Sequence, residues 1–356
     1  MKKIGVLPLA FTYVGSFLGA GFVSGQELWQ FFGSFGGWGF LGFALAAALF
    51  VFFGVVLMRL TQMTGYTELD RLLVPWERAT WLRKAAGVIA ALFLFCVVVL
   101  MAAGVGALLQ QLFNVPAWIS SAIFTVIVAI IALFGVSGMV NAFSMLIPVL
   151  TIAAILFAIF AWAKFDTSLL LKMQVVNENP LMPNWVIAAL TFVSYNLLGG
   201  IGIMVPTAPL IKKKSTIFAG MGLSGVMLIF IAYCILSSVC IYPPAIAQEL
   251  PMVAVVSELL PILGSVYGVL LALAMFCNSL GSLVALITHM KQHIAFIQNR
   301  EKLLLVFLAV VSWAASLFGF GDIIGVIYPL FGYASIVFLV TMVIHFVQCR
   351  RKMKKE

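Results

Sequence analysis

The chain has 356 residues, of which 64% are hydrophobic and only 9% are charged. A soluble domain is about one quarter charged, so this composition excludes an ordinary soluble protein and predicts a membrane protein with several spans. The net charge of +9 comes from short connectors and from the C-terminus, so it indicates membrane topology, and we expect no nucleic-acid partner.

Ten apolar segments are long enough to cross a hydrocarbon core of about 30 Å. They lie near residues 5–32, 37–60, 84–110, 117–135, 140–163, 184–210, 215–241, 262–289, 302–319 and 323–347. A single membrane-spanning segment satisfies its own backbone only as a helix. The predicted fold class is therefore an all-α polytopic membrane protein with about ten transmembrane helices.

Basic residues predict the orientation of these helices. With the N-terminus in the cytoplasm, 18 of the 20 Lys and Arg residues fall in cytoplasmic segments, and only Lys164 and Lys172 fall outside. Basic loops stay on the cytoplasmic side during insertion. We therefore expect a multi-pass protein of the cell's inner (plasma) membrane, embedded in the lipid bilayer, with both termini cytoplasmic.

The first span contains an unusual polar stretch. Residues 13–27 read YVGSFLGAGFVSGQE and include four glycines, two serines and Glu27. Glycine weakens a helix, and a carboxylate inside a bilayer is costly, so a lipid-facing helix gains nothing from these residues. The stretch predicts that the first helix is broken within the membrane.

A second glycine-rich stretch occupies the equivalent place in the second half. Residues 192–203 read FVSYNLLGGIGI and lie within the sixth span. We expect residues 1–163 to form a first five-helix repeat, 164–183 an outer connector, 184–348 a second repeat with inverted orientation, and 349–356 a basic cytoplasmic tail. Glycine-interrupted spans at matching positions of inverted halves indicate a transporter binding site. The alternative is that the glycines, several in GxxxG spacing, serve only close helix packing.

Two broken helices expose backbone amides at one new end and carbonyls at the other. A zwitterion such as an amino acid needs both kinds of group. The predicted solute site therefore consists of Gly15, Ser16, Gly19, Ala20 and Gly21 in the first span and of Ser194, Asn196, Gly199, Gly200 and Gly202 in the sixth.

The eighth span adds hydroxyl groups. Ser279 and Ser282 are three residues apart and share a helix face. Together with neighbouring Asn278 and backbone carbonyls of the first span, at Phe17 and Ala20, they predict a candidate sodium site. The alternative is that the serines bond the carbonyls of their own helix.

Glu27 is a functional candidate because it is ionisable and lies within a span. Its role is open between a proton-coupling site, a gate and a cation ligand, and the structural alternative is a capping contact to a neighbouring helix. The candidate coupling ions are Na⁺ and H⁺, and no other cofactor is expected. Tyr328 and Tyr333 of the tenth span suit either the solute pathway or an interfacial belt.

The stretch GAGFVSGQE at residues 19–27 resembles the G-A-G-F-x-S-G-Q-E motif of YkvI-type bacterial membrane proteins, and the similarity covers the whole chain. More distantly, the chain resembles the amino acid–polyamine–organocation superfamily. That resemblance implies a five-plus-five LeuT-type inverted repeat, an unwound first helix at Gly19–Gly21, a sixth-helix break at residues 196–202 and an ion bound by Ser279 and Ser282. The chain departs from better-known relatives because it has no helices beyond ten and few polar residues in its third span.

These features predict a secondary active transporter, a symporter that moves an amino acid or a similar small zwitterionic solute by alternating access. A sodium or proton gradient would drive it. The alternative is a ligand sensor on the same scaffold that does not transport, resembling the membrane subunit of a germinant receptor. An enzyme is not expected, because no paired carboxylates, catalytic triad or metal-ligand cluster accompanies Glu27. The particular solute and the oligomeric state are left open.

Overall fold

The computed structural model describes residues 4–66, 72, 80–134, 139–211, 213–293 and 300–352. All regular structure in these residues is helical. The α-helices are α1 (Val6–Phe17), α2 (Ala20–Val23), α3 (Gln26–Phe31), α4 (Gly37–Thr64), α5 (Thr80–Phe113), α6 (Ala117–Phe134), α7 (Met139–Lys164), α8 (Trp185–Thr207), α9 (Lys214–Cys240), α10 (Pro251–Leu259), α11 (Pro261–His293), α12 (Glu301–Ser316) and α13 (Phe320–Lys352). Short 3-10 helices lie at Gly33–Phe35, Thr167–Lys172, Ala208–Leu210 and Pro243–Ala247.

These helices follow the ten apolar segments that hydropathy predicts. The first segment contains α1, α2 and α3, and α10 lies between the seventh and eighth segments. Among the described residues, α4, α5, α9, α11 and α13 have both the length and the hydropathy of a membrane span, and the remaining five segments contain apolar helical stretches of 10–17 residues. The prediction of an all-α membrane protein is confirmed.

The two halves of the chain meet through equivalent helices. Helix α4 packs against α9, α5 against α11, α6 against α12, and α1 against α8. Each pair joins helices that hold the same place in the two halves, as expected for helices that lie beside a pseudo-two-fold axis in the membrane plane. The contacts therefore agree with a five-plus-five inverted repeat. The exact repeat boundaries stay a prediction, and residues 353–356 of the predicted tail lie outside the described residues.

The first span is broken twice, and glycines lie at both breaks. Helix α1 ends at Phe17, and Gly19 is extended, with φ −78° and ψ 172°. Helix α2 then ends at Val23, and after Ser24 the residue Gly25 adopts the left-handed conformation with φ +86°. Left-handed backbone costs a residue with a Cβ about 1–2 kcal/mol, so glycine favours this second turn. The predicted break of the first helix is confirmed.

The predicted break of the sixth span is wrong, because α8 is a continuous helix from Trp185 to Thr207. Its polar side chains bond carbonyls one turn earlier in the same helix: Ser194 Oγ donates to Leu190 O at 2.6 Å, and Asn196 Nδ2 donates to Phe192 O at 3.0 Å.

The glycines of α8 serve close packing. A Cβ at Gly199 would lie 3.2 Å from the ring of Phe93, and one at Gly200 would lie 2.9 Å from the ring of Phe17. Their role is therefore to admit aromatic rings, which is the packing alternative.

Helix α10 closes one end of the broken first span. Met252 N donates to Ser24 O at 2.8 Å, which satisfies a carbonyl that the second break exposes. Gln111 Nε2 of α5 donates to Leu250 O at 3.2 Å, and Gly321 N of α13 donates to Glu249 Oε2 at 2.6 Å. The segment before and within α10 therefore ties the break to both halves of the protein.

Candidate solute and ion site

The break between α1 and α2 has free backbone donors. The first backbone bonds of α2 run from Val23 N to Gly19 O and from Ser24 N to Ala20 O. In the described chain, the amides of Ala20, Gly21 and Phe22 have no backbone acceptor. Amides without a helical partner satisfy themselves with a ligand, water or a side chain, so the break provides hydrogen-bond donors for a bound molecule.

Open space lies beside the same break. A Cβ at Gly15 or at Gly19 would meet no atom within 4 Å, and both residues are half-buried. Glycines that only admit a neighbouring helix would have atoms close by, as Gly199 and Gly200 do. The packing alternative therefore does not explain Gly15 and Gly19, which leave open space beside the break.

The carbonyl end of α1 is partly occupied by its own chain. Ser16 Oγ donates to Tyr13 O at 2.7 Å, and Phe17 O accepts from Gly19 N at 2.8 Å. A carbonyl oxygen has two lone pairs. The predicted carbonyl ligands at Phe17 and Ala20 therefore keep capacity for an ion, while the Ser16 hydroxyl is already used.

Glu27 lies against Gly21, although six residues separate them. The left-handed turn at Gly25 brings α3 back toward α2, so that a Cβ at Gly21 would lie 2.8 Å from Glu27 Cδ and closer still to Oε1. In a straight helix the two residues would be about 9 Å apart along the axis. The Glu27 carboxylate is therefore part of the broken segment itself.

The Glu27 carboxylate is buried among aromatic side chains. Only 5% of the residue is exposed, and Tyr195 of α8 donates its hydroxyl to Oε2 at 3.1 Å. The Tyr195 ring lies 4.4 Å from that of Tyr328 on α13. Further rings around Tyr195 are those of Phe31, Phe93 and Phe192.

Residues of the sixth span approach the break from one side as an intact helix. Gly200 contacts Ser16 and Phe17 of α1. Asn196 is half-buried, and the Gly199 position is exposed. The structure thus brings Gly200 to the break. The side chains of Ser194 and Asn196 instead donate to carbonyls of their own helix, which has no break there. Gly202 lies on the same helix, but its surroundings are outside the described side chains.

The predicted ion residues of α11 differ from one another. The Ser279 hydroxyl is fully buried and has no hydrogen-bond partner among the described residues. Ser282 is also buried. Asn278 instead faces α5, where its Nδ2 lies 3.7 Å from Met101 Sδ. An unpaired buried hydroxyl costs about 1–3 kcal/mol, so the Ser279 hydroxyl keeps unused hydrogen-bonding capacity among the described residues, while Asn278 has a packing contact.

Two tyrosines at the site were missed as site residues. Tyr195 lies inside the glycine-rich stretch of the sixth span, where the glycines and the polar residues Ser194 and Asn196 were predicted to bind the solute. Tyr267 of α11 donates its hydroxyl to Val23 O at 2.8 Å and is fully buried. The sequence signal for both residues was a tyrosine within an apolar span, because a buried tyrosine hydroxyl requires a hydrogen-bond partner.

Sequence comparison finds relatives that match over most of the chain. No family model matches the chain. The uncharacterized membrane protein YkvI of Bacillus subtilis (strain 168) is 27% identical over 335 residues, which cover 93% of each chain. YyaD of the same organism is 27% identical over 340 residues, covering 93% of this chain and 94% of YyaD.

Structural comparison finds transporters. Mhp1, a nucleobase-cation-symport-1 family transporter with bromovinylhydantoin bound, matches with a TM-score of 0.62 and 14% identity, over 93% of this chain and 75% of Mhp1. A Na⁺-coupled sialic acid symporter matches with a TM-score of 0.59 and 14% identity, over 88% of this chain and 75% of the symporter. MhsT in complex with L-phenylalanine matches with a TM-score of 0.58 and 17% identity, over 97% of this chain and 89% of MhsT. The chain is therefore similar over most of its length to YkvI and YyaD of Bacillus subtilis, and it has the LeuT-type fold of these solved structures.

Proposed function

We propose that this protein is a secondary active transporter that moves a small amino-acid-like solute across the membrane by alternating access. The observation that carries the proposal is the break at Gly19, where free backbone amides and open space meet inside a membrane span. Irregular backbone at membrane depth is tolerated only where it is buried in protein or lines a cavity. A solute that is bound there lies between the two halves of the fold.

The solute contacts follow from the groups at the break. The amides of Ala20, Gly21 and Phe22 suit the carboxylate of an amino acid, and the remaining carbonyls of α1 suit its ammonium group. Because α8 is continuous, it contributes a helix surface at the half-buried Asn196 and not a second pair of helix ends. The half-buried ring of Phe93 offers an apolar wall for the solute's side chain.

The transport cycle is driven by a sodium or a proton gradient. The candidate sodium ligands are the hydroxyls of Ser279 and Ser282 with carbonyl oxygens of the first span, a set of hard oxygen donors that suits Na⁺. The buried, unpaired Ser279 hydroxyl supports this assignment. Known structures of the same fold include a Na⁺-coupled symporter.

The test is uptake of a labelled amino-acid mixture into proteoliposomes, with sodium and proton gradients imposed separately. Accumulation above the outside concentration supports the proposal, and the effective gradient identifies the ion. Saturable binding without any uptake would contradict transport and favour a sensor.

A matched pair of variants tests the sodium site. Ser279→Ala should remove sodium-driven accumulation, whereas Ser335→Ala should not, although both remove a buried hydroxyl that has no partner among the described residues. Equal sodium dependence in both variants would exclude Ser279 as a ligand.

A further inference from the structure

Glu27 is a buried carboxylate with one hydrogen-bond partner among the described residues, the Tyr195 hydroxyl. Its helix, α3, packs against α2, α8, α9, α13 and the 3-10 helix Gly33–Phe35. The titratable side chains within a few residues of the α3 contacts on these elements are Tyr195 on α8, Asp322 and Tyr328 on α13, and Tyr233, Cys234 and Cys240 on α9. None of them is a cation at neutral pH.

The basic residues of the same elements are far away. Gly25 contacts Val239 and Ile235 of α9, and Gln30 contacts Gly325 of α13. Lys214 starts α9 and His345 lies near the end of α13, each about 20 residues or 30 Å along its helix from these contacts. The charge of an ionised Glu27 would therefore have no cationic partner on the elements packed against it.

An ionised carboxylate in this position is costly. Burying a charge without a counter-ion costs several kcal/mol, and one tyrosine hydroxyl satisfies only part of the acceptor capacity of a carboxylate. A proton or a small cation is needed to neutralise it, and the side of the carboxylate that faces Gly21 has no room for a cation. The carboxylate touches Gly21 so closely that a single added Cβ overlaps it. A proton needs no additional volume, whereas a sodium ion or an ammonium group does.

We propose that Glu27 carries a coupling proton, which is bound in the closed protein and released when the site opens to water. The inference rests on the proposed transport function. The step is a simple proton transfer between water and a carboxylate oxygen. With Glu27 neutral, the segment α2–α3 can close against α8. With Glu27 ionised, closure is unfavourable, so proton binding and closing of the two halves are linked.

Tyr195 connects the proton site to the second half. It lies on α8, the first helix of that half, and its ring contacts Tyr328 on α13. The proton state of Glu27 therefore acts on a hydrogen bond that joins the two halves. Tyr195 is a positioning residue in this scheme, because it orients the carboxyl without carrying the proton.

The first experiment detects the proton directly and needs no solute. Infrared difference spectra of the purified full chain at neutral pH should contain the band of a protonated carboxyl group. Glu27→Gln should lose that band. Glu178→Gln, which removes an exposed carboxylate of the connector, should keep it. Identical spectra for wild type and Glu27→Gln would overturn the proposal.

A second variant covers the case in which Glu27→Gln does not fold. Tyr195→Phe removes the hydroxyl donor and leaves the carboxyl group in place. The protonated-carboxyl band should persist and shift in frequency, because its hydrogen bond is lost. An unchanged band position would show that the band does not come from Glu27, which would also overturn the proposal.

Transport measurements separate this inference from the proposed function. With a labelled amino-acid mixture, Glu27→Gln should retain exchange of solute for solute but lose proton-driven accumulation completely, and Glu178→Gln should retain both. Absence of exchange in the wild type would contradict transport itself. Wild-type exchange together with full proton-driven accumulation in Glu27→Gln would contradict only the role of Glu27.

Discussion

Replacement of Gly21 by alanine tests whether α3 folds back onto α2. The new Cβ would lie 2.8 Å from Glu27 Cδ, and ordinary van der Waals contact begins at 3.4 Å. The carboxyl group must therefore retreat by about 0.6 Å or more, which lengthens its 3.1 Å bond to Tyr195. Overpacking of this kind costs about 1–3 kcal/mol, a weakened hydrogen bond adds about 1 kcal/mol, and alanine returns up to about 1 kcal/mol as a helix former.

The expected net loss is about 1–3 kcal/mol of unfolding free energy. Gly19→Ala is the matched control, because a Cβ there meets no atom within 4 Å and the backbone is in an ordinary extended conformation. Its effect should stay within about 0.5 kcal/mol. Denaturation of both variants in mixed detergent micelles measures the difference. Equal stability of the two variants would refute the contact between Glu27 and Gly21.

Two further substitutions test the second break and its support. Gly25→Ala should cost about 1–2 kcal/mol, because its φ of +86° is unfavourable for alanine and its Cβ would lie 3.1 Å from Val239 Cγ2; unfolding that matches the wild type would exclude the left-handed turn. Tyr267→Phe should cost about 1 kcal/mol, because Val23 O loses its donor at 2.8 Å. A tyrosine without this bond, such as Tyr233, serves as its control, and equal effects of the two Phe substitutions would contradict the contact.

Hydropathy was sufficient to predict the spans and the fold class. Each apolar segment is long enough to cross a bilayer, and a lone segment in lipid has no alternative to a helix. The break of the first span was also predictable. Four glycines together with Glu27 are incompatible with a lipid-facing helix, and two of those glycines, Gly19 and Gly25, lie at the observed breaks.

The sixth span shows where composition is ambiguous. Gly199 and Gly200 look like the glycines of the first span, yet their neighbours are aromatic rings from α5 and α1. A glycine that admits a ring and a glycine that interrupts a helix have the same sequence signal. The distinction depends on side chains that are distant in the chain, so local sequence could not supply it.

The contact between Glu27 and Tyr195 could not be predicted for a related reason. It depends on the positive φ at Gly25, which turns α3 back and moves Glu27 beside Gly21. In a straight helix Glu27 would instead lie about 9 Å beyond Gly21 along the axis. Glu27 was recognisable as a functional candidate from its charge. Its contact with Tyr195 depends on the left-handed turn at Gly25.

The most direct test of the central claim, that a solute binds beside Gly19, is to fill that space. Gly19→Leu should reduce exchange of a labelled amino-acid mixture in proteoliposomes at least about tenfold, because the added side chain occupies the solute's room. Gly222→Leu on α9 is the matched control, since a Cβ there also meets no atom within 4 Å, and it should exchange like the wild type. Undiminished exchange by Gly19→Leu, with equal amounts of inserted protein, would contradict the proposed binding site.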